Sequence, residues 1–143
     1  MTVPVWMLLG FAAWTVLLLS ATIGVYRWSR ILTGRARISE FRADGTDGED
    51  WYRRATRAHA NCIENLPVFG AIVFALQVSG TAGPAVDVLS ICILVARVIQ
   101  SLIHVSFVQS SPVVSARFTF FSVQLASFIA LIATVAIRGA AAT

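Results

Sequence analysis

Arg57, Asn61 and Glu64 fall four and then three residues apart, so a helix carries all three on one face. They stand in the run Arg57-Ala58-His59-Ala60-Asn61-Cys62-Ile63-Glu64-Asn65-Leu66-Pro67-Val68-Phe69, where a charged segment meets an apolar one. A guanidinium, an amide and a carboxylate at the mouth of a membrane helix are costly to place, and a small zwitterionic ligand is one partner that would satisfy them. Similar rows recur along the chain. Arg53 and Arg54 precede Arg57 by one turn. Arg97, Gln100 and His104 follow the same three-and-four spacing, and Arg117 and Gln124 stand seven apart.

A charge at mid-membrane costs about 2.5–3.5 kcal/mol even on the lenient insertion scale, and such residues usually face a bundle interior or a wet cavity. Arg57, Arg117 and Glu64 sit near a membrane boundary, where snorkelling lowers that cost. Arg97 is deeper. Glu64 could pair with Arg97 or Arg57 simply to hold a bundle together. That accounts for one pair but not for the excess of arginine over acid, which calls for an anion.

The elements that position these residues are membrane helices. The chain of 143 residues is 57% hydrophobic and only 13% charged, with a mean hydropathy of +0.79. A soluble domain is closer to a quarter charged. Spans are expected at about residues 3–26, 58–78, 85–107 and 114–137, each near the ~20 residues that cross a bilayer. Together they form one domain over residues 1–143: an all-α four-helix membrane bundle. The first run lacks a basic leader and reads as a span rather than a signal peptide. Glu49 to Arg57 reads as helical and leads directly into the second span. Pro67 inside that span can be accommodated as a kink.

All eleven basic residues are arginine. Eight of them, with five acids, lie in the loop 27–57. The positive-inside rule places that loop in the cytoplasm and both termini outside. It also explains a pI of about 10.0 without nucleic acid. Cys62 and Cys92 read as small buried hydrophobes; they make neither a disulfide framework nor a metal site. His59 and the four tryptophans read as interfacial or packing residues.

The motif Arg-Ala-x-x-Asn-Cys-x-Glu-x-x-Pro-x-Phe, from Arg57 to Phe69, resembles the second-helix signature of the MAPEG family, the membrane-associated proteins in eicosanoid and glutathione metabolism. Length, four spans and a basic first loop agree with it, so the resemblance covers essentially the whole chain. It implies a homotrimer with glutathione, or another low-molecular-weight thiol, in a cytoplasm-facing cleft between subunits. Arg57, Asn61 and Glu64 then match the family's glutathione-binding positions, and Arg97 matches a third-helix arginine in the pattern Arg-x6-Tyr. Here His104 takes the place of that tyrosine, and Asn65 stands where the leukotriene-synthase branch has tyrosine. Arg53 and Gln100 join the expected binding set. Arg117 is the candidate for the thiol-activating arginine, with His104 beside it as a second candidate catalytic residue.

Glutathione suits this set: arginine forks take its carboxylates, Glu64 its ammonium, and Asn61 can donate and accept. A lipophilic electrophile or lipid hydroperoxide would enter from the membrane. Three readings remain open on the sequence: a thiol-dependent membrane transferase or peroxidase, a non-catalytic thiol-binding or interaction member of the same fold, and a small proton-coupled transporter. The last would want a carboxylate in the first span, which has none.

Overall fold

A computed structural model describes residues 1–41 and 48–141. The run Ala43-Asp44-Gly45-Thr46-Asp47-Gly48, whose composition favours turns, lies almost wholly outside the described residues. Four helices are long and apolar enough to cross a membrane, and no strand occurs among the described residues. We number them α1 (Val3–Leu32), α2 (Asp50–Val78), α3 (Pro84–Ser106) and α4 (Ser111–Ala141). A short 3-10 turn, Ile38–Glu40, lies between α1 and α2.

The boundaries follow local chemistry. Pro4, Pro84 and Pro112 sit in first turns, where proline's missing N–H leaves no bond unmade. The fourth helix therefore starts at Ser111, ahead of the expected 114. The first helix also outruns its expected end at residue 26. It stops only at Gly34, whose φ of 68° admits the left-handed closing turn. There the Gly34 N–H bonds the Ile31 carbonyl and the Arg35 N–H bonds the Arg30 carbonyl, at 3.0 and 2.9 Å. Gly80, at φ 63°, closes α2 with the same pair of bonds. Within α1, Leu19–Gly24 winds as a π-helix, which the sequence reading did not anticipate. The second helix runs unbroken through Pro67.

The central helix is α3, which packs on α1, α2 and α4, most extensively on α4. The apolar core gathers around Phe11, Cys62, Phe69, Ile93, Phe128 and Leu131. Phe69 links two layers, with its ring 6.1 Å from Phe11 and 6.1 Å from Phe128. Large apolar side chains such as Phe74, Phe118 and Ile129 are turned outward, as a lipid-facing surface requires. At one end the C-terminal turn of α1 meets the start of α2. Arg27 Nε donates to the Tyr52 hydroxyl at 2.8 Å, and Arg30 pairs with Glu49 at 3.0 Å. At the opposite end Gln77 donates to Thr2 at 2.8 Å, and Arg138 donates to the Ala82 carbonyl at 2.7 Å.

Candidate functional site

The inner face of α3 carries a polar row. Ser90, Arg97, Gln100, Ser101 and His104 are all buried. Their spacing repeats every three and four residues, so one stripe of the helix faces the bundle. Arg97 is only 1% exposed and ranks first by volume among the fully buried side chains. Its guanidinium carbon lies 5.9 Å from the Phe11 ring centroid, while its Nε and Nη2 have no hydrogen-bond partner. Gln100 Nε2 donates to the Arg117 carbonyl at 3.2 Å, and its Oε1 has no partner. His104 Nδ1 is likewise unpartnered.

The motif on α2 is turned differently. Arg57 and Glu64 are exposed, and Asn61 is half-buried. Its neighbour Cys62 points inward instead, fully buried, with its sulfur 3.5 Å from the Ser101 hydroxyl. The face read from the spacing therefore runs along the outside edge of the bundle, beside the polar stripe of α3. Arg97 still lies within Coulombic range of Glu64 and Cys62.

The two arginines one turn before the motif separate. Arg53 is exposed and pairs with Asp50 at 3.6 Å, away from the buried stripe. Arg54 takes the inward place: its guanidinium donates to the Val105 carbonyl at 3.4 Å and pairs with Asp50. Arg117 of α4 and Arg57 and Arg54 of α2 lie within Coulombic range of His104. Arg54 was thus passed over as a site residue; its angle on the helix wheel, on the opposite flank of the motif from Arg53, was the available signal. Gln124 on α4 was noted for its spacing but not counted in the site. It is 1% exposed, and neither atom of its amide has a partner. Trp14 Nε1 on α1 is also buried without a partner.

The ion pairs among the described residues are Arg30–Glu49, Arg53–Asp50 and Arg54–Asp50. None includes Arg57, Glu64, Arg97 or Arg117. The expectation that Glu64 might hold the bundle together by pairing with Arg97 or Arg57 is therefore not met. Unpartnered polar groups instead line the inner face of α3 from Arg97 to His104, and Gln124 of α4 adds an unpartnered amide. Such an arrangement favours an anion with further hydrogen-bonding capacity. Among the described residues no group of three His, Cys, Asp or Glu side chains could hold a metal.

Comparison with curated proteins and with solved structures finds no match to this chain. Comparison with family models does: the MAPEG family model matches residues 4–137. That segment holds the cluster and nearly all of the four helices, and the chain belongs to the MAPEG family.

Proposed function

We propose that this protein is an integral membrane transferase or peroxidase that binds glutathione, or another low-molecular-weight thiol, and activates it as a thiolate. The MAPEG family includes glutathione transferases, glutathione peroxidases and leukotriene synthases. The observation that carries the reading is the buried Arg97, two of whose nitrogens lack partners, beside an α2 face whose Arg57 and Glu64 have no ion pair among the described residues. Glutathione brings two carboxylates for the guanidiniums and one ammonium for Glu64. Asn61 and Gln100 supply further hydrogen bonds.

Because Arg57 and Glu64 lie on the exposed side of one chain, a neighbouring subunit is needed to close the cleft, and a homotrimer supplies it. The arginine-rich end faces the cytoplasm, where the thiol is abundant, and both termini lie outside. A lipophilic electrophile or hydroperoxide reaches the thiolate through the bilayer. A free thiol of this kind has a pKa near 8.5. Bringing it to about 6.5 requires roughly 2.7 kcal/mol of preferential thiolate stabilisation. One guanidinium in a partly desolvated site supplies energy of that order, and Arg117, half-buried and within Coulombic range of His104, is the residue assigned to it. His104 assists by hydrogen bonding to the thiol.

The test is a titration of glutathione into the purified protein, following thiolate absorbance in the ultraviolet near neutral pH, with Arg117→Ala alongside. A saturable signal lost in Arg117→Ala, with calorimetric binding retained, supports activation. An unchanged signal in Arg117→Ala removes that residue from the role. One observation favours a second reading, a thiol-binding protein without chemistry: a buried histidine, His104, stands where the resemblance expects a tyrosine. Binding without thiolate absorbance and without turnover of a model electrophile would establish that alternative.

A further inference from the structure

The buried face of α1 changes phase once. Phe11, Thr15 and Leu18 are buried, and farther along so are Ile23 and Tyr26. The steps between them are four, three, five and three residues. An α-helix keeps one face inward with steps of three and four, at about 100° per residue. The step of five would carry Ile23 and Tyr26 about one residue beyond that face. The π-helical segment Leu19–Gly24 absorbs the excess. There the Val25 N–H bonds the Ser20 carbonyl, five residues back, and the wider turn returns Ile23 and Tyr26 to the inner side. With one residue removed from the segment, the steps become four, three, four and three. The helix therefore holds one residue more than its packing uses. Gly24 fits the wide winding: an added Cβ would lie 3.3 Å from the Leu19 carbonyl oxygen.

The two parts of α1 are held differently. Before the segment, Phe11 packs against Phe69 and Arg97 in the apolar core. After it, Tyr26 stacks on Tyr52 at 4.2 Å, Arg27 donates to the Tyr52 hydroxyl, and Arg30 pairs with Glu49. These last turns cover a small cluster of Ile23, Tyr26, Tyr52 and Ala55, against which Val105 packs. Val105 adjoins His104, and its carbonyl accepts from Arg54. When the end of α1 leaves α2, the surplus residue can wind into ordinary α-helix. That turns Tyr26 and Arg30 by about 100° relative to the core part of the helix. Single π-helical turns inside α-helices recur at functional sites.

We propose that the end of α1, Val25–Leu32, is a lid over the junction of α2 and α3 beside His104, and that Leu19–Gly24 is its hinge. The hinge is π-helical when the lid is closed and α-helical when it is open. The lid goes beyond the thiol chemistry and does not depend on it.

The test is amide hydrogen exchange of the full-length protein in lipid nanodiscs, read by mass spectrometry in the absence of any thiol. Deletion of Ala21, exposed within the segment, should leave a continuous α-helix with both parts in phase. That protein should melt at or above the parent's temperature, and exchange at residues 54–57, beneath the lid, should slow about tenfold. Gly24→Ala should act in the opposite sense, because its Cβ presses on the closed winding and alanine favours the α-helix. Exchange at 54–57 should then rise about tenfold, with residues 8–15 unchanged. Deletion of Ala13, exposed in the core part of α1, is the control; it throws Phe11 out of phase with Thr15 and should lower the melting temperature. An Ala21 deletion that fails to fold, or that destabilises as much as the Ala13 deletion, would show that the residue is not surplus. Exchange at 54–57 that moves the same way in the Ala21 deletion and Gly24→Ala, or in neither, would overturn the hinge.

Discussion

The stability effect of replacing Arg97 should shift by about 2.7 kcal/mol against the variant when glutathione is present. The side chain is 1% exposed, and its Nε and Nη2 lack hydrogen-bond partners. Withdrawing an ion from water costs several kcal/mol even after relaxation. Against that stand a Phe11 contact at 5.9 Å, worth about 0.5–2 kcal/mol as a cation–π interaction, and the unpaired charge of Glu64 nearby. In the ligand-free protein, Arg97→Met replaces the guanidinium with an apolar chain that packs on Phe11. Stability should therefore stay level or rise by up to about 1–4 kcal/mol, the range found when buried ion pairs give way to hydrophobes. With glutathione at a hundred times its Kd, the parent gains about 2.7 kcal/mol by mass action, whereas the variant should gain little. The measurement is thermal melting in detergent, with and without glutathione, read by tryptophan fluorescence. A ligand-free Arg97→Met protein destabilised by more than about 2 kcal/mol would mean that the guanidinium is already well partnered, and the reasoning from its unpartnered nitrogens would fail. A full glutathione increment in the variant would show that the ligand does not use this charge.

Further outcomes follow from the same geometry. Glu64→Gln should leave the ligand-free melt within about 0.5 kcal/mol, because the residue is exposed and has no ion pair among the described residues. It should weaken glutathione in calorimetry but leave an analogue lacking the amino group unaffected. Gly48→Ala should cost about 1–2 kcal/mol in a melting experiment, since Gly48 has a φ of 100° and its added Cβ would strike Tyr52. Cysteines introduced at Ser79 and Gln109, in the two turns flanking α3, should react from opposite sides of the membrane. An impermeant maleimide applied to intact cells should label Ser79→Cys and spare Gln109→Cys; the reverse pattern would invert the proposed orientation.

The helices were legible because apolar runs and first-turn prolines are local signals, and hydration of the backbone is forbidden in lipid. The end of α1 was misplaced because the span was closed at the first arginine. In the fold Arg27 and Arg30 turn inward to Tyr52 and Glu49, so charge at those positions extends the helix instead of ending it. The π-helical Leu19–Gly24 has no counterpart in hydrophobic periodicity, which registers faces and not the count of residues per turn.

Spacing also has a limit at the site itself. It places Arg57, Asn61 and Glu64 on one face and Arg97, Gln100 and His104 on another, but it does not say which face is turned toward the bundle. That depends on the opposite side of each helix. On α2, Ala55, Ala58, Cys62 and Phe69 are buried and claim the interior, so the motif is left at the edge. On α3 the stripe of Arg97 contains Val86 and Ile93, which are also buried, and the polar residues are carried inside with them. The result is a cationic interior next to an exposed acid and a half-buried amide. In the proposed site one chain would supply a cleft wall with charge on both sides of its edge, and a ligand or a second subunit against that edge would bring the two sets of groups together.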